Sequence, residues 1–235
     1  MGLKAEEKEV VLKELKEAIV SGDVDSARRA AEKAVELGLN PMEVIDKGLK
    51  PGLDVVEEKY ESLELFLPDL VLAGDAACAA LDVLLSRIEK GESRFKKGTV
   101  VIGTIYGDIH DIGKSIVAAL LRANGYEVYD LGADVEPTRF VEEAERVKAD
   151  FIAMSCLLTP SMPYMRDVVQ RLEDMGVRDR YYVIVGGAAV YPEWAEEIKA
   201  DGWAKDAPGA VELCDTLMER GKEVKKPVII GAWGE

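Results

Sequence analysis

The chain has 235 residues, 48% of them hydrophobic, enough for one large domain or two modest ones with real cores. Its 45 acidic residues against 30 basic ones give a formal net charge of −15, which repels phosphate backbones. With no cluster of Lys and Arg interleaved with aromatics to offset it, that balance argues against a nucleic-acid partner. Cys78, Cys156 and Cys214 are odd in number and never spaced Cys-x-x-Cys, which speaks against a disulfide framework or a structural zinc and for a reducing compartment. The acidic start, Met1 to Glu9, lacks the apolar core of a signal peptide, and no stretch approaches the ~18 apolar residues of a membrane span. A cytoplasmic, globular protein without membrane contact is expected.

From Lys4 to about Glu89 the pattern is helical. Val10, Val11, Leu15, Ala18 and Ile19 recur at helical spacing; Ser21-Gly22-Asp23 then ends one helix and caps the next, which is lined by Ala27, Ala30, Ala31, Ala34 and Leu37. Asn40-Pro41-Met42-Glu43 reads as a capping box variant, with Asn40 as N-cap, Pro41 at the first helical position and Glu43 reaching back. The third helix that follows contains Gly48 and Pro51-Gly52, which predict a kink or split. A fourth long helix starts at Phe66-Leu67-Pro68-Asp69 and runs to Ile88, with an alanine-rich middle that allows close approach of another backbone. The sum is a bundle of four or five helices.

Gly91 to Gly98 is polar and glycine-flanked, and the periodicity changes beyond it. The expected division is a helical bundle over 1–92, a linker over 93–98 and an α/β domain over 99–235. Five apolar runs follow: Thr99 to Thr104, Glu127 to Leu131, Phe151 to Ser155, Tyr182 to Val185 and Gly202 to Ala204. Helical stretches alternate with them at about Gly113 to Ala123, Pro137 to Val147, Ser161 to Met175, Pro192 to Ile198 and Pro208 to Arg220. Such alternation means a five-stranded parallel sheet with helices on both faces, of flavodoxin-like or Rossmann-like type, with strand order 2-1-3-4-5. In such sheets ligands bind outside the carboxyl ends of the strands at the switch in order, here residues 105–113 and 155–161.

The only histidine, His110, lies at this place, in Gly107-Asp108-Ile109-His110-Asp111-Ile112-Gly113-Lys114. An imidazole leaving a strand with a carboxylate two residues before it suits a metal held from one side. Ser155-Cys156-Leu157-Leu158-Thr159-Pro160-Ser161 and Val185-Gly186-Gly187-Ala188 share the same sheet edge. Glycines there permit close approach of a bulky ligand, and the hydroxyls satisfy buried polar groups. Taken singly, these signals have plain structural readings. Gly186-Gly187 alone reads as a strand-to-helix turn, Cys156 as a buried inert thiol, Lys205 and Asp206 as a solvated turn, and Trp194 and Trp203 as packing residues.

Together, Asp-x-His-x-x-Gly after the first strand, Ser-x-Leu after the third and Gly-Gly after the fourth resemble the cobalamin-binding fold shared by methionine synthase and the corrinoid proteins of methyltransferase systems. The preceding bundle resembles the cap domain of those methyl carriers, so the resemblance covers nearly the whole chain. It implies that cobalamin binds base-off, with His110 replacing the cofactor's own base as the cobalt ligand. Asp108 would accept a hydrogen bond from the other nitrogen of His110, and Ser161 would extend that relay. Ser155, Leu157, Thr159, Gly186, Gly187 and Ala188 would line the pocket for the nucleotide tail. Gly107, Asp111, Ile112 and Gly113 would shape the loop around the ligand. Phe66, Leu67 and Leu70 are candidates to cover the methyl face, although at helical spacing they read equally well as bundle core.

The activity implied is that of a corrinoid carrier, one component of a multi-subunit methyltransferase rather than a complete enzyme alone. It would shuttle a methyl group, through Co(I) and methylcobalamin, from a donor-specific methyltransferase to an acceptor methyltransferase serving a thiol or a pterin. A reductive activation protein would be a further partner. The alternative is a cobalamin-dependent sensor, which would usually carry a DNA-binding or signalling domain that this sequence lacks. A radical mutase subunit would need a catalytic barrel. A flavodoxin-like electron carrier would need a first loop rich in Ser and Thr, where this chain has Ile105-Tyr106-Gly107-Asp108-Ile109-His110.

Overall fold

The structure, a computed structural model, describes residues 2–88, 97–221 and 227–232. It divides into two compact units, Met1–Lys90 and Gly91–Glu235. The boundary expected after residue 92, and the expected linker as far as residue 96, lie outside the described residues.

The first unit is helical: α1 Gly2–Val20, α2 Val24–Glu36, α3 Pro41–Val44, α4 Lys50–Glu61 and α5 Leu67–Ile88. Asp23 caps α2, its carboxylate accepting the Ser26 N–H at 2.9 Å, and Asn40 caps α3 through the N–H of Met42 at 2.9 Å. Glu43 does not reach back to complete the capping box. Its carboxylate pairs with Lys8 at 2.6 Å and Lys47 at 2.8 Å, because ammonium donors give stronger bonds than a neutral N–H. The predicted split in the third helix is a π-helical stretch, Ile45–Leu49, in which the Lys50 N–H reaches back five residues to the Ile45 carbonyl. This wider turn lies just before Pro51, which has no N–H to continue the ladder. The alanines of α2 (Ala27, Ala30, Ala31, Ala34) and of α5 (Ala73, Ala76, Ala77, Ala80) are all buried, and the two helices pack side by side.

The second unit is a doubly wound α/β sheet, and its elements alternate along the chain as the periodicity predicts. They are β1 Gly98–Thr104, α6 Ile112–Ala123, β2 Tyr126–Asp130, α7 Pro137–Val147, β3 Phe151–Ser155, α8 Pro163–Asp174, β4 Tyr182–Gly186, α9 Pro192–Glu197, β5 Gly202–Ala204, α10 Ala207–Arg220 and β6 Val228–Ile230. All strands are parallel, in the order β2-β1-β3-β4-β5-β6. The first five follow the expected order. The sixth strand corrects the expectation of five: Val228 to Ile230 pairs with Gly202 to Ala204. Three residues offer too little alternation for a period to be read. The expected helix at Ser161 also starts differently, with a single 3-10 turn at Thr159–Ser161 before α8.

Side chains alternate across the sheet. Val100 and Ile102 of β1 face Ala118 and Leu121 of α6 and Leu213, Cys214 and Leu217 of α10. Val101 packs on the opposite face with Phe140 of α7, Val168 of α8 and Trp194 of α9. Trp203 belongs to the same core and donates its indole N–H to the Val190 carbonyl at 2.7 Å, so both tryptophans are packing residues. Asp206, expected in a solvated turn, caps α10 by accepting the Gly209 N–H at 2.8 Å. None of the described helices is long and apolar enough to cross a membrane.

Candidate functional site

The loops that leave β1 and β3 diverge at the switch in strand order, and Asp108 joins them. This aspartate is 0% exposed. Its Oδ1 accepts the His110 backbone N–H at 3.0 Å and meets the ring Nδ1 at 2.6 Å. Its Oδ2 accepts the N–H groups of Leu157 at 2.5 Å and Leu158 at 3.2 Å. Burial pushes the carboxyl up, but the hydrogen bonds from Leu157 and His110 outweigh burial and hold it below its ordinary value. An ionised carboxylate can only accept, so Nδ1 carries a proton, and in the neutral tautomer this selects the lone pair is on Nε2. The His110 side chain is 48% exposed, and its Nε2 has no hydrogen bond among the described residues.

The backbone around the ring is fastened as well. Thr104, at the end of β1, donates its hydroxyl to the His110 carbonyl at 2.9 Å. Gly107 has φ +81°, and a Cβ there would lie 2.9 Å from Ser161 Oγ. That contact places buried Ser161 against the His110 loop, yet no hydrogen bond joins its hydroxyl to Asp108 or His110 among the described residues.

The remaining residues at this sheet edge are open. Asp111 precedes α6, Ile112 begins it, and a Cβ on Gly113 would meet nothing within 4 Å. Ser155 ends β3 and its carbonyl accepts the Ile105 N–H at 3.0 Å, while Leu157 and Thr159 are exposed beyond it. Gly186 ends β4, followed by exposed Gly187 and Ala188. Gly187, at φ +104°, lets the β4 loop close on the β3 loop, since a Cβ would stand 2.3 Å from the Cys156 carbonyl oxygen. Cys156 itself is buried, its thiol facing the Leu158 carbonyl at 3.0 Å, and burial pushes it up to about 12, as suits an inert thiol.

In the first unit Phe66 is 62% and Leu67 64% exposed, with Leu70 half-buried. Phe66 and Leu67 are thus not bundle core. Leu63, before α5, and Val71, within it, are exposed as well.

Sequence reasoning missed two supports of the His110 loop. Lys114, 3% exposed, pairs with Asp130 at 2.5 and 2.7 Å, tying the first turn of α6 to the end of β2. Asp134 accepts the Gly107 N–H at 2.7 Å. The only local signal for it was the turn composition Gly132-Ala133-Asp134. Among the described residues no group of three or more His, Cys, Asp or Glu side chains is arranged to hold a metal ion.

Comparison with known proteins shows the family. Two B12 binding domain families match the chain, one over residues 98–212 and the other over residues 11–85. The chain is 43% identical to dimethylamine corrinoid protein 2 of Methanosarcina acetivorans over 211 residues, 90% of this chain and 97% of that one. Among solved structures it resembles the monomethylamine corrinoid protein of Methanosarcina barkeri, with a TM-score of 0.83 and 34% identity over 89% of this chain and 99% of that one. It also resembles the methanol:cobalamin methyltransferase complex of Methanosarcina barkeri, with a TM-score of 0.51 and 30% identity over 92% of this chain and 83% of that one. With both units matched and a relative covered almost end to end, the chain belongs to the cobalamin-binding corrinoid proteins of methyltransferase systems.

Proposed function

We propose that this chain is a methyl carrier that holds cobalamin base-off with His110 Nε2 as the lower ligand of cobalt. The observation that carries the reading is the state of the imidazole: Nδ1 is pinned at 2.6 Å by a buried carboxylate, and Nε2 is open on a half-exposed ring. One imidazole suits a metal already held by a macrocycle. A Cβ on Gly113 would meet nothing within 4 Å, which leaves the start of α6 uncrowded beside the ring. Bound cobalamin supplies a cobalt ion that accepts a methyl group and hands it on. The residues of this chain orient and tune that ion. Asp108 fixes the tautomer and direction of the ring and raises its donor strength. Ser155, Leu157, Thr159, Gly186, Gly187 and Ala188 line the nucleotide tail, and Gly107, Asp111, Ile112 and Gly113 frame the loop around the ring. Ser161 is a neighbour of that loop whose hydroxyl is available to a proton route.

In the same reading residues 1–92 form the cap domain and 99–235 the cobalamin domain. Phe66, Leu67 and Leu70 shield the methyl face, which the exposure of Phe66 and Leu67 supports. A methyltransferase specific for the donor would load the carrier, a second would unload it to a thiol or pterin, and a reductive activation protein would be a further partner. The names of the relatives span dimethylamine, monomethylamine and methanol, which fits a division of labour in which the partner reads the donor and the carrier presents cobalt. Reconstitution with hydroxocobalamin tests the core of the reading. The wild-type complex should be red, and His110→Ala should bind cofactor with a changed visible spectrum; an unaltered spectrum would remove His110 from the metal.

A further inference from the structure

The segment between β2 and α7 runs beside the loop that carries His110 and prolongs the sheet ladder past its end. Thr104 N–H donates to Gly132 O at 3.0 Å, Val135 N–H to Thr104 O at 3.0 Å, and Ile105 and Val135 form an isolated parallel bridge. At the centre of this contact stands Asp134. Its Oδ1 accepts the Gly107 N–H at 2.7 Å, and its own N–H donates to the Asp108 carbonyl at 2.9 Å. It does so from φ +54°, a left-handed conformation that Asp and Asn tolerate better than other side chains. Asp134 is exposed, so core packing does not account for either the conformation or the two bonds. At the far end of the same loop Asp130 holds buried Lys114. Two carboxylates from one short segment therefore grip the loop on either side of the imidazole.

We propose that Asp134 is a positioning residue for His110: it clamps Gly107 and Asp108, and so sets where the ring nitrogen points. The proposal rests on the axial-ligand reading above. Gly107 is the residue before the aspartate that pins the ring, so a displacement of its amide moves Asp108 and the imidazole together.

Three substitutions separate the side-chain bond from the backbone conformation. Asp134→Asn keeps an acceptor oxygen and tolerates the left-handed region, Asp134→Gly keeps the conformation and loses the acceptor, and Asp134→Ala loses both. In the protein without cofactor, amide exchange at Gly107 followed by NMR should stay near wild type in Asp134→Asn. It should be about tenfold faster in the Gly and Ala variants, which lack the acceptor oxygen altogether, for a hydrogen bond worth about 1 kcal/mol or more. After loading with hydroxocobalamin, the spectra of the Gly and Ala variants should move towards that of His110→Ala, while Asp134→Asn keeps the wild-type spectrum. The inference is overturned if Asp134→Gly exchanges and absorbs like wild type, or if Asp134→Asn is as impaired as Asp134→Gly. A His110→Ala protein with the wild-type spectrum overturns the ligand reading instead, and the Gly107 exchange rate then decides the clamp by itself.

Discussion

The carboxylate of Asp108 receives the backbone N–H of Leu157 at 2.5 Å, so the loop after β1 and the loop after β3 are joined through one buried side chain. Four donors meet this carboxylate: two backbone N–H groups on one oxygen, and the backbone and ring of His110 on the other. Asp108→Asn places an NH2 among donors on one side and leaves them unsatisfied. The variant should lose about 1–3 kcal/mol of stability even without cofactor, read from the urea midpoint of the second unit.

Gly187→Ala is expected to be more damaging. The added methyl group would stand 2.3 Å from the Cys156 carbonyl oxygen at a φ of +104°, with backbone rather than a movable side chain in its way. Steric overlap and left-handed strain together should cost at least about 3 kcal/mol. Thermal unfolding and soluble yield would reveal it, and a variant with the melting temperature of the wild type would show that the two loops separate freely.

Thiol chemistry should follow burial. Cys78 is exposed while Cys156 and Cys214 are buried, so the native protein at pH 8 should react with one equivalent of a disulfide reagent and the unfolded protein with three. The same burial makes stability depend on alkali. Burial raises the Cys156 thiol from an ordinary 9.0 to about 12 and raises Cys214 as well. Between those values the unfolded chain has lost a proton that the folded chain keeps. Stability is therefore whole below pH 9 and falls as the pH rises from there towards 12, which urea midpoints at pH 8 and pH 10 would measure.

In the first unit Glu43 is one of the carboxylates that titrate below their ordinary value. Hydrogen bonds from Lys47 and Lys8 draw its carboxyl down from an ordinary 4.5 to about 2. Its contribution is present above the ordinary value and is lost as the pH falls through the lower one. Carbon-detected NMR should place its titration near pH 2 in wild type, and Lys47→Met should move it upward.

The layout of the second unit was legible because its strands and helices differ in period, and because a buried parallel sheet requires continuous apolar runs such as Val100-Val101-Ile102. The site was legible at His110, Asp108 and the paired glycines, since each stands directly after a strand and the strand order brings those ends together. What local pattern could not give were partnerships across the fold. Lys114 meets Asp130 through the return of β2, Gly107 meets Asp134 through the next loop, and Leu157 meets Asp108 by its backbone, for which the identity of a side chain carries no signal. Glu43 shows the converse. Its place in a capping pattern was plain, but Lys8, far away in sequence, competed for the carboxylate and won.

The order of the sheet leaves β2 and β6 at its two margins, and both are poor templates for a stray chain. Strand β6 spans only three residues, and β2 carries exposed Glu127 along its five. An unfolded segment or a second molecule adding itself there would find few backbone groups to pair with and negative charge beside them. A short strand at one margin and a charge at the other are thus the features that discourage edge-to-edge pairing.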